Sequence, residues 1–240
     1  MAIPAVLLNL ICQAARRQRG RTACSAGYPD LLVTADQLTA LLGADETLRV
    51  GTREDSEQIL AWHGMRNVLD RVFDAADVFR ELGYSLDVID IVKARGDEIL
   101  VDLNHPLPPD FRRRFDLVLD TGTCEHCFNM GQAALNLASI VEQNGLIIQC
   151  MPLNVFNHGF YNANPTWFFD FYPLNGFEIE YFKGVSDIAL NPSFFDPPIH
   201  ERFREVPLNS IMIVIARRAC VQDLKVPVQH KYLSNPFLRG

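Results

Sequence analysis

The stretch FDLVLDTGTCEHCFN, residues 115–129, constrains this chain more than any other. Phe115–Asp120 is a short apolar run closing on an acid, the pattern of a strand buried on both faces of a sheet. Thr121-Gly122-Thr123 follows as a glycine-containing turn. Residues 132–141 then place Ala133, Ala134, Leu137, Ala138 and Val141 at helical spacing. Asn144-Gly145 reads as the stop of that helix, and residues 146–150 (LIIQC) as a second buried strand. Such a unit builds an open α/β sheet, in which ligands bind at the carboxyl ends of the strands. The cluster Asp120, Thr121, Gly122, Thr123, Cys124, Glu125 and His126 sits at one such end, so chemistry is expected there.

The flanking chain extends the same rhythm. Residues 22–26 read as a strand broken by Gly27-Tyr28-Pro29-Asp30, a turn-rich tetrad. Residues 35–43 form a short helix with Gly43 as its stop, and residues 54–64 and 74–82 have helical spacing. Residues 86–91 (LDVIDI) and 98–103 (EILVDL) are strands ending near Asp90 and Asp102, and Pro106, Pro108 and Pro109 forbid continuation of the second. Beyond the central unit lie a polar loop at 154–164, an aromatic helix at 166–172, and strands at 177–182 and 211–216. The segment 191–207 holds four prolines and fits no regular element, and 223–240 is a proline-punctuated tail. Residues 3–19 read as a helix that is apolar on more than one face through Val6, Leu7, Leu8, Leu10 and Ile11. Such a helix must bury itself, either as a lid over the strand ends or on the outer face of the sheet.

With 240 residues and 48% hydrophobic content, the chain can fill one large core, so 1–240 is taken as a single domain. Residues 1–20 form its N-terminal extension and candidate lid, and 221–240 its tail. A net charge of −7 argues against a nucleic-acid or anionic-membrane partner. The apolar N-terminus is too short to span a bilayer and lacks preceding basic residues, so no membrane anchor is expected. Six cysteines scattered through predicted strands and helices suit a reducing, cytoplasmic setting better than a disulfide framework. The expected partner is a small-molecule substrate, with homo-oligomerisation left open.

Strands that end in acids, alternate with helices and finish in an antiparallel pair resemble the class I S-adenosylmethionine-dependent methyltransferase superfamily. FDLVLDTGTCEHCFN resembles that superfamily's fourth-strand motif with its frequent Glu-His, GLIIQCMPLN its fifth strand, and NPTWFFDFYPLNGFEIE the next helix and strand. The resemblance implies an α/β, Rossmann-like, doubly wound, mostly parallel sheet with a C-terminal antiparallel hairpin and an N-terminal helical extension. It implies S-adenosyl-L-methionine as cofactor, with Asp90 on the ribose and Asp102, beside Leu103, facing the adenine. Asp120, Thr121, Gly122 and Thr123 would complete the cofactor site. The superfamily's glycine-rich first motif is degenerate here, with Gly27 the one glycine in Ser25-Ala26-Gly27-Tyr28-Pro29-Asp30.

Read from the residues alone, an aspartate at a strand end can accept both hydroxyls of a diol. It can equally cap the turn that follows, with Asp102 capping Asn104; Asp87 is a weaker competitor for the ribose role. Cys124-Glu125-His126-Cys127 offers soft ligands, but no second CxxC accompanies it, so no metal is expected. The loop at 154–164 overhangs the same cleft and supplies His158 and Tyr161, which with His126 are the candidate catalytic residues. The expected activity is O- or N-methyl transfer to a small molecule by direct displacement. The alternatives are a cyclase or lyase using the same cofactor, and a non-catalytic binding or scaffold protein that has lost it.

Overall fold

The structure, a computed structural model, describes residues 2–93, 95–199 and 201–233. In chain order the first half comprises β1 (Ala2–Pro4), α1 (Ala5–Arg17), β2 (Thr22–Ala26), β3 (Asp30–Leu32), α2 (Ala35–Leu42), α3 (Ala44–Thr47), α4 (Ser56–Trp62) and α5 (Ala75–Glu81). Next come β4 (Ser85–Asp90), β5 (Ile99–Leu100), β6 (Phe115–Asp120), a 3-10 turn (Cys124–His126), α6 (Met130–Ser139) and β7 (Val141–Asn154). The chain continues through α7 (Pro165–Leu174), β8 (Phe177–Ser186), β9 (Ser193–Phe195), β10 (Ser210–Arg218) and α8 (His230–Leu233).

Eight strands form one sheet in the order β5-β4-β2-β6-β7-β10-β8-β9. The strands from β5 to β7 in that order are parallel. β10 inserts antiparallel between β7 and β8, and β9 pairs antiparallel at the edge. This is a Rossmann-like, doubly wound α/β fold with a wide C-terminal antiparallel hairpin. The chain runs outward from β2 through β4 to β5, then returns to β6 and continues outward to β7. The reversal falls between β2 and β6, the position where a doubly wound sheet leaves a crevice for ligands.

Strand pleating sorts the core into two layers. Leu117, Leu119, Leu146, Ile148, Ile213 and Ile215 point to one face, where they meet α1, α2 and α5 through residues such as Leu8, Leu38 and Phe79. Val118, Ile147, Met151, Met212 and Val214 point to the other, against Ala134 and Leu137 of α6 and Phe168 and Tyr172 of α7. A third, smaller cluster of Ile59, Leu60, Met65, Leu69 and Val72 explains the long segment after α3: it carries a separate patch of core.

Several boundaries differ from the sequence expectation for identifiable reasons. Asn144-Gly145 does not end a helix. α6 already stops at Ser139, and Asn144 adopts φ 63° inside β7, where the register against β6 shifts. β7 is therefore longer than 146–150, with a bulge near its start. β5 shrinks to Ile99–Leu100 because it pairs only with β4 at the sheet edge. The proline-rich segment 191–207 does contain a short strand, β9, held by β8. Asp30 leaves the turn and joins β3, which pairs in parallel with β1. α8 lies in the expected tail, whose residues 234–240 fall outside the described residues.

α1 settles the fate of the apolar N-terminus. It buries Leu7, Leu8, Ile11, Cys12, Ala14 and Ala15 in the first core layer, and the Tyr84 hydroxyl donates to the Ala15 carbonyl at 2.9 Å. The helix thus packs on a face of the sheet rather than over the strand ends. From this segment Ala2, in β1, lines the cleft. Among the described residues no helix is long and apolar enough to cross a membrane.

Candidate active site

A cleft of about 1310 Å³ opens at the carboxyl ends of β2, β4 and β6. Pockets for a single small ligand run roughly 300–1,000 Å³, so this one has room for two partners side by side. Its floor is the crossing of the first two loops. Gly27 turns at φ 81°, and its N–H donates to the Ile89 carbonyl at 2.8 Å. The Ser25 hydroxyl donates to the Gly27 carbonyl at 2.8 Å, and the Thr123 hydroxyl donates to the Ala26 carbonyl at 2.6 Å. A single glycine in the first loop therefore suffices for a tight, cross-braced bend.

The second loop is organised by Asp120. Its carboxylate is fully buried: Oδ1 accepts the N–H groups of Thr123 and Cys124 at 2.9 and 3.2 Å, and Oδ2 accepts Gln149 Nε2 at 2.8 Å. The Tyr172 hydroxyl in turn donates to Gln149 Oε1 at 2.9 Å. Asp120 is absent from the cleft lining. The expectation placed Asp120 at the cofactor, whereas here its two oxygens are engaged by the turn it shapes and by Gln149. The polar Gln149 within LIIQC was the sequence signal for this network.

Thr121, Gly122 and Thr123 do line the cleft. The Thr121 hydroxyl is buried without a hydrogen-bond partner among the described residues. Gly122 sits at φ 118°, and a Cβ there would lie 3.3 Å from Glu125 Oε1. Asp90 lies on the rim of the same cleft. Its Oδ1 accepts the Ile91 and Val92 N–H groups at 2.7 and 3.3 Å, while its Oδ2 has no partner among the described residues. Asp102 also lines the cleft but caps Asn104, with Oδ1 accepting both the Asn104 N–H and Nδ2 at 2.9 Å. Those hydrogen bonds hold the Asp102 carboxyl below the ordinary aspartate value. Leu103 adds a buried apolar wall. Asp87 stands apart, ion-paired with Arg113.

The adjoining wall carries Glu125, His126 and His158. The 3-10 turn delivers the first two, and the loop after β7 delivers the third. That loop is pinned where the Phe160 N–H donates to the Glu125 carbonyl at 2.8 Å. Gly159 makes the approach feasible, because a Cβ there would lie 2.8 Å from the same carbonyl oxygen. Glu125 is buried, and its Oε1 stands 3.5 Å from His158 Nε2. Burial pushes the Glu125 carboxyl above its ordinary value despite the hydrogen bond from His158, and that same bond raises the His158 imidazole.

Tyr161 is placed differently from expectation. Its hydroxyl donates to the Phe128 carbonyl at 2.7 Å, and it does not line the cleft. Cys124 and Cys127 remain thiols: burial drives Cys124 well up and Cys127 to about 11. Neither is poised for redox or ligand chemistry.

Sequence reasoning missed a third part of the lining. His63 and Arg95 reach the cleft, both held by Asp30, which pairs with Arg95 and lies 2.8 Å from His63 Nε2. Trp62 stands beside them, 82% exposed at the rim. These residues come from the segment between α3 and β5, where no pattern connected them to the strand ends.

No family model matches this chain. No curated protein matches it either. Among solved structures it is similar to TehB from Haemophilus influenzae, with a TM-score of 0.39 and 9% identity over 59% of this chain and 52% of that one. The chain thus spans about half the length of that protein. It is also similar to a SAM-dependent methyltransferase, possible histamine N-methyltransferase, from Thermotoga maritima, with a TM-score of 0.38 and 13% identity over 86% of this chain and 87% of that one. A third similar structure is coclaurine N-methyltransferase bound to N-methylheliamine and SAH, with a TM-score of 0.36 and 14% identity over 75% of this chain and 51% of that one. The likeness is one of fold, and two of these three proteins carry methyltransferase names.

Proposed function

We propose that this chain is an S-adenosylmethionine-dependent methyltransferase that transfers the methyl group to an oxygen or nitrogen of a small molecule by direct displacement. The observation that carries this reading is the polar cleft at the sheet's reversal point. One wall offers Asp90 Oδ2, the unpartnered Thr121 hydroxyl and the Gly122 turn; the wall adjoining it at Gly122 offers Glu125, His126 and His158.

The first wall fits the cofactor. A buried hydroxyl without a partner calls for a ligand, and Asp90 keeps one carboxylate oxygen for a ribose diol. Gly27 and Gly122 leave bare backbone where the ligand must approach closely. Leu103 and Asp102 would flank the adenine. The bound cofactor supplies an electrophilic methyl on a sulfonium. What the chain must do is hold the acceptor in line with that methyl and manage its proton. His158, oriented by Glu125, is placed to take that proton, and His126 stands beside it with ring centroids 5.0 Å apart.

The second wall is completed by Val155, Ile188, Leu190 and Asn209, with Asp187 the one carboxylate beside them. That lining suits a compact, weakly charged acceptor rather than a polyanion. Calorimetric titration with S-adenosylmethionine and S-adenosylhomocysteine tests the proposal. Saturable binding of both is expected. Absence of binding to either would leave a scaffold built on an enzyme fold.

A further inference from the structure

We propose that Glu125, His126 and His158 form a binding site for a divalent transition-metal ion of the zinc type. One ligand atom from each side chain can be chosen so that all lie within 4.8 Å of one another. Two imidazoles and one carboxylate on three side chains are the donor set of an open metal site, one that keeps a position for water or substrate. Imidazole nitrogen favours zinc, iron, copper or nickel over magnesium or calcium, which prefer oxygen.

A second observation points to a cation independently of that grouping. Glu125 is 1% exposed, and its Oε2 has no hydrogen-bond partner among the described residues. A buried carboxylate oxygen left bare is costly, and native structures rarely leave one so without a ligand. The neighbouring backbone does not relieve it: the Glu125 carbonyl, not its carboxylate, takes the Phe160 N–H. The two histidines approach from separate segments, with ring centroids 5.0 Å apart and planes tilted by 53°. The absence of a side chain at Gly159 is what lets the second segment come this close.

The cysteines do not belong to this group. Cys124 is wholly buried and Cys127 directs its thiol to the Thr123 carbonyl at 3.7 Å. The ligand set is therefore Glu-His-His, drawn from a turn and a distant loop, rather than the sequence-local Cys-Glu-His-Cys. With the metal bound, its open position would take the acceptor's oxygen or nitrogen and lower that group's pKa, replacing the proton transfer assigned to a free His158. That role rests on the methyltransferase reading, whereas the binding site itself does not.

The test uses the full chain, stripped with chelator and titrated calorimetrically with Zn²⁺ and separately with Mg²⁺, with no cofactor present. One Zn²⁺ per chain is expected, with much weaker Mg²⁺ binding. His126→Ala and His158→Ala should each weaken Zn²⁺ binding at least tenfold to a hundredfold, with circular dichroism confirming the fold. Both histidines are exposed, so these variants should fold even if Glu125→Gln does not. Cys127→Ser should leave Zn²⁺ affinity unchanged. No stoichiometric Zn²⁺, or binding that survives both histidine variants or disappears with Cys127, would overturn the site. Stoichiometric, histidine-dependent Zn²⁺ in a protein that ignores S-adenosylmethionine would keep the site and remove the methyltransferase reading instead.

Discussion

Asp90 and Asp120 close two parallel strands of the same sheet, β4 and β6 on either side of β2, with nearly the same signature, an apolar run ending in an acid, yet they meet opposite fates. Asp120 is fully buried, with three donors on its two oxygens. Asp90 sits on the rim with one oxygen engaged by the following turn and the other open to the cleft. The difference originates in the neighbours. β6 is central, flanked by β2 and by the long β7 that brings Gln149 alongside. β4 is flanked on its outer side by the two-residue β5 at the sheet edge, and among the described residues no side-chain donor reaches Asp90 Oδ2 as Gln149 reaches Asp120. A strand-end acid thus becomes architecture where the sheet is deep and stays open to the cleft near the sheet's edge.

Removing each acid should reveal that division. Asp120→Ala strands the Thr123 and Cys124 amides and the Gln149 amide in the interior, so unfolding stability should fall by about 3–5 kcal/mol, read by urea denaturation. A loss under about 1 kcal/mol would show that the network is not what holds the turn.

A third acid, Asp30, sharpens the contrast because one of its partners is the Arg95 guanidinium. Burial raises its carboxyl, but the hydrogen bonds from His63 and Arg95 outweigh this and hold it below the ordinary 3.8. Because the folded value is depressed, its stabilisation is complete above about pH 4 and is lost as pH falls through the folded value. Asp30→Asn should cost about 2–3 kcal/mol at pH 6, and the difference from wild type should narrow in acid. A gap that widened as the pH fell would reverse the sign argued here.

Asp90→Ala should do the opposite of Asp120→Ala. It should leave unfolding stability within about 1 kcal/mol of wild type while weakening S-adenosylmethionine binding about tenfold to a hundredfold, a loss of roughly 1.5–3 kcal/mol. Unchanged calorimetric affinity would remove Asp90 from the cofactor site. The smallest effect is expected at Tyr161, whose hydroxyl only braces the Phe128 carbonyl. Tyr161→Phe should cost about 1 kcal/mol in stability and leave turnover within about twofold in a methyl-transfer assay. A larger fall in turnover with stability intact would return Tyr161 to the chemistry.

Much of this arrangement was legible beforehand. The limits of β6 were read without error, and the strands β2, β4, β8 and β10 were found to within a few residues, because runs such as FDLVLD and IMIVIA leave no alternative to a buried strand. Gly43 and Gly83 marked the ends of helices as expected, at φ 113° and 82°. The Glu-His pair and the loop carrying His158 were correctly sent to one cleft, since both follow strands whose ends must lie on the same side of a parallel sheet.

Local pattern determined the main strands of the sheet and the side of it where the polar residues gather. Only tertiary structure decided which acid would be enclosed, that Tyr161 would turn to a backbone carbonyl, and that α1 would pack on the sheet face. It alone set Glu125, His126 and His158 within reach of one another, and brought His63 and Arg95 in beside them. The physical reason is that a side chain's role depends on which donors and charges surround it. In this fold those neighbours arrive from segments far away in sequence, so no window along the chain contains them.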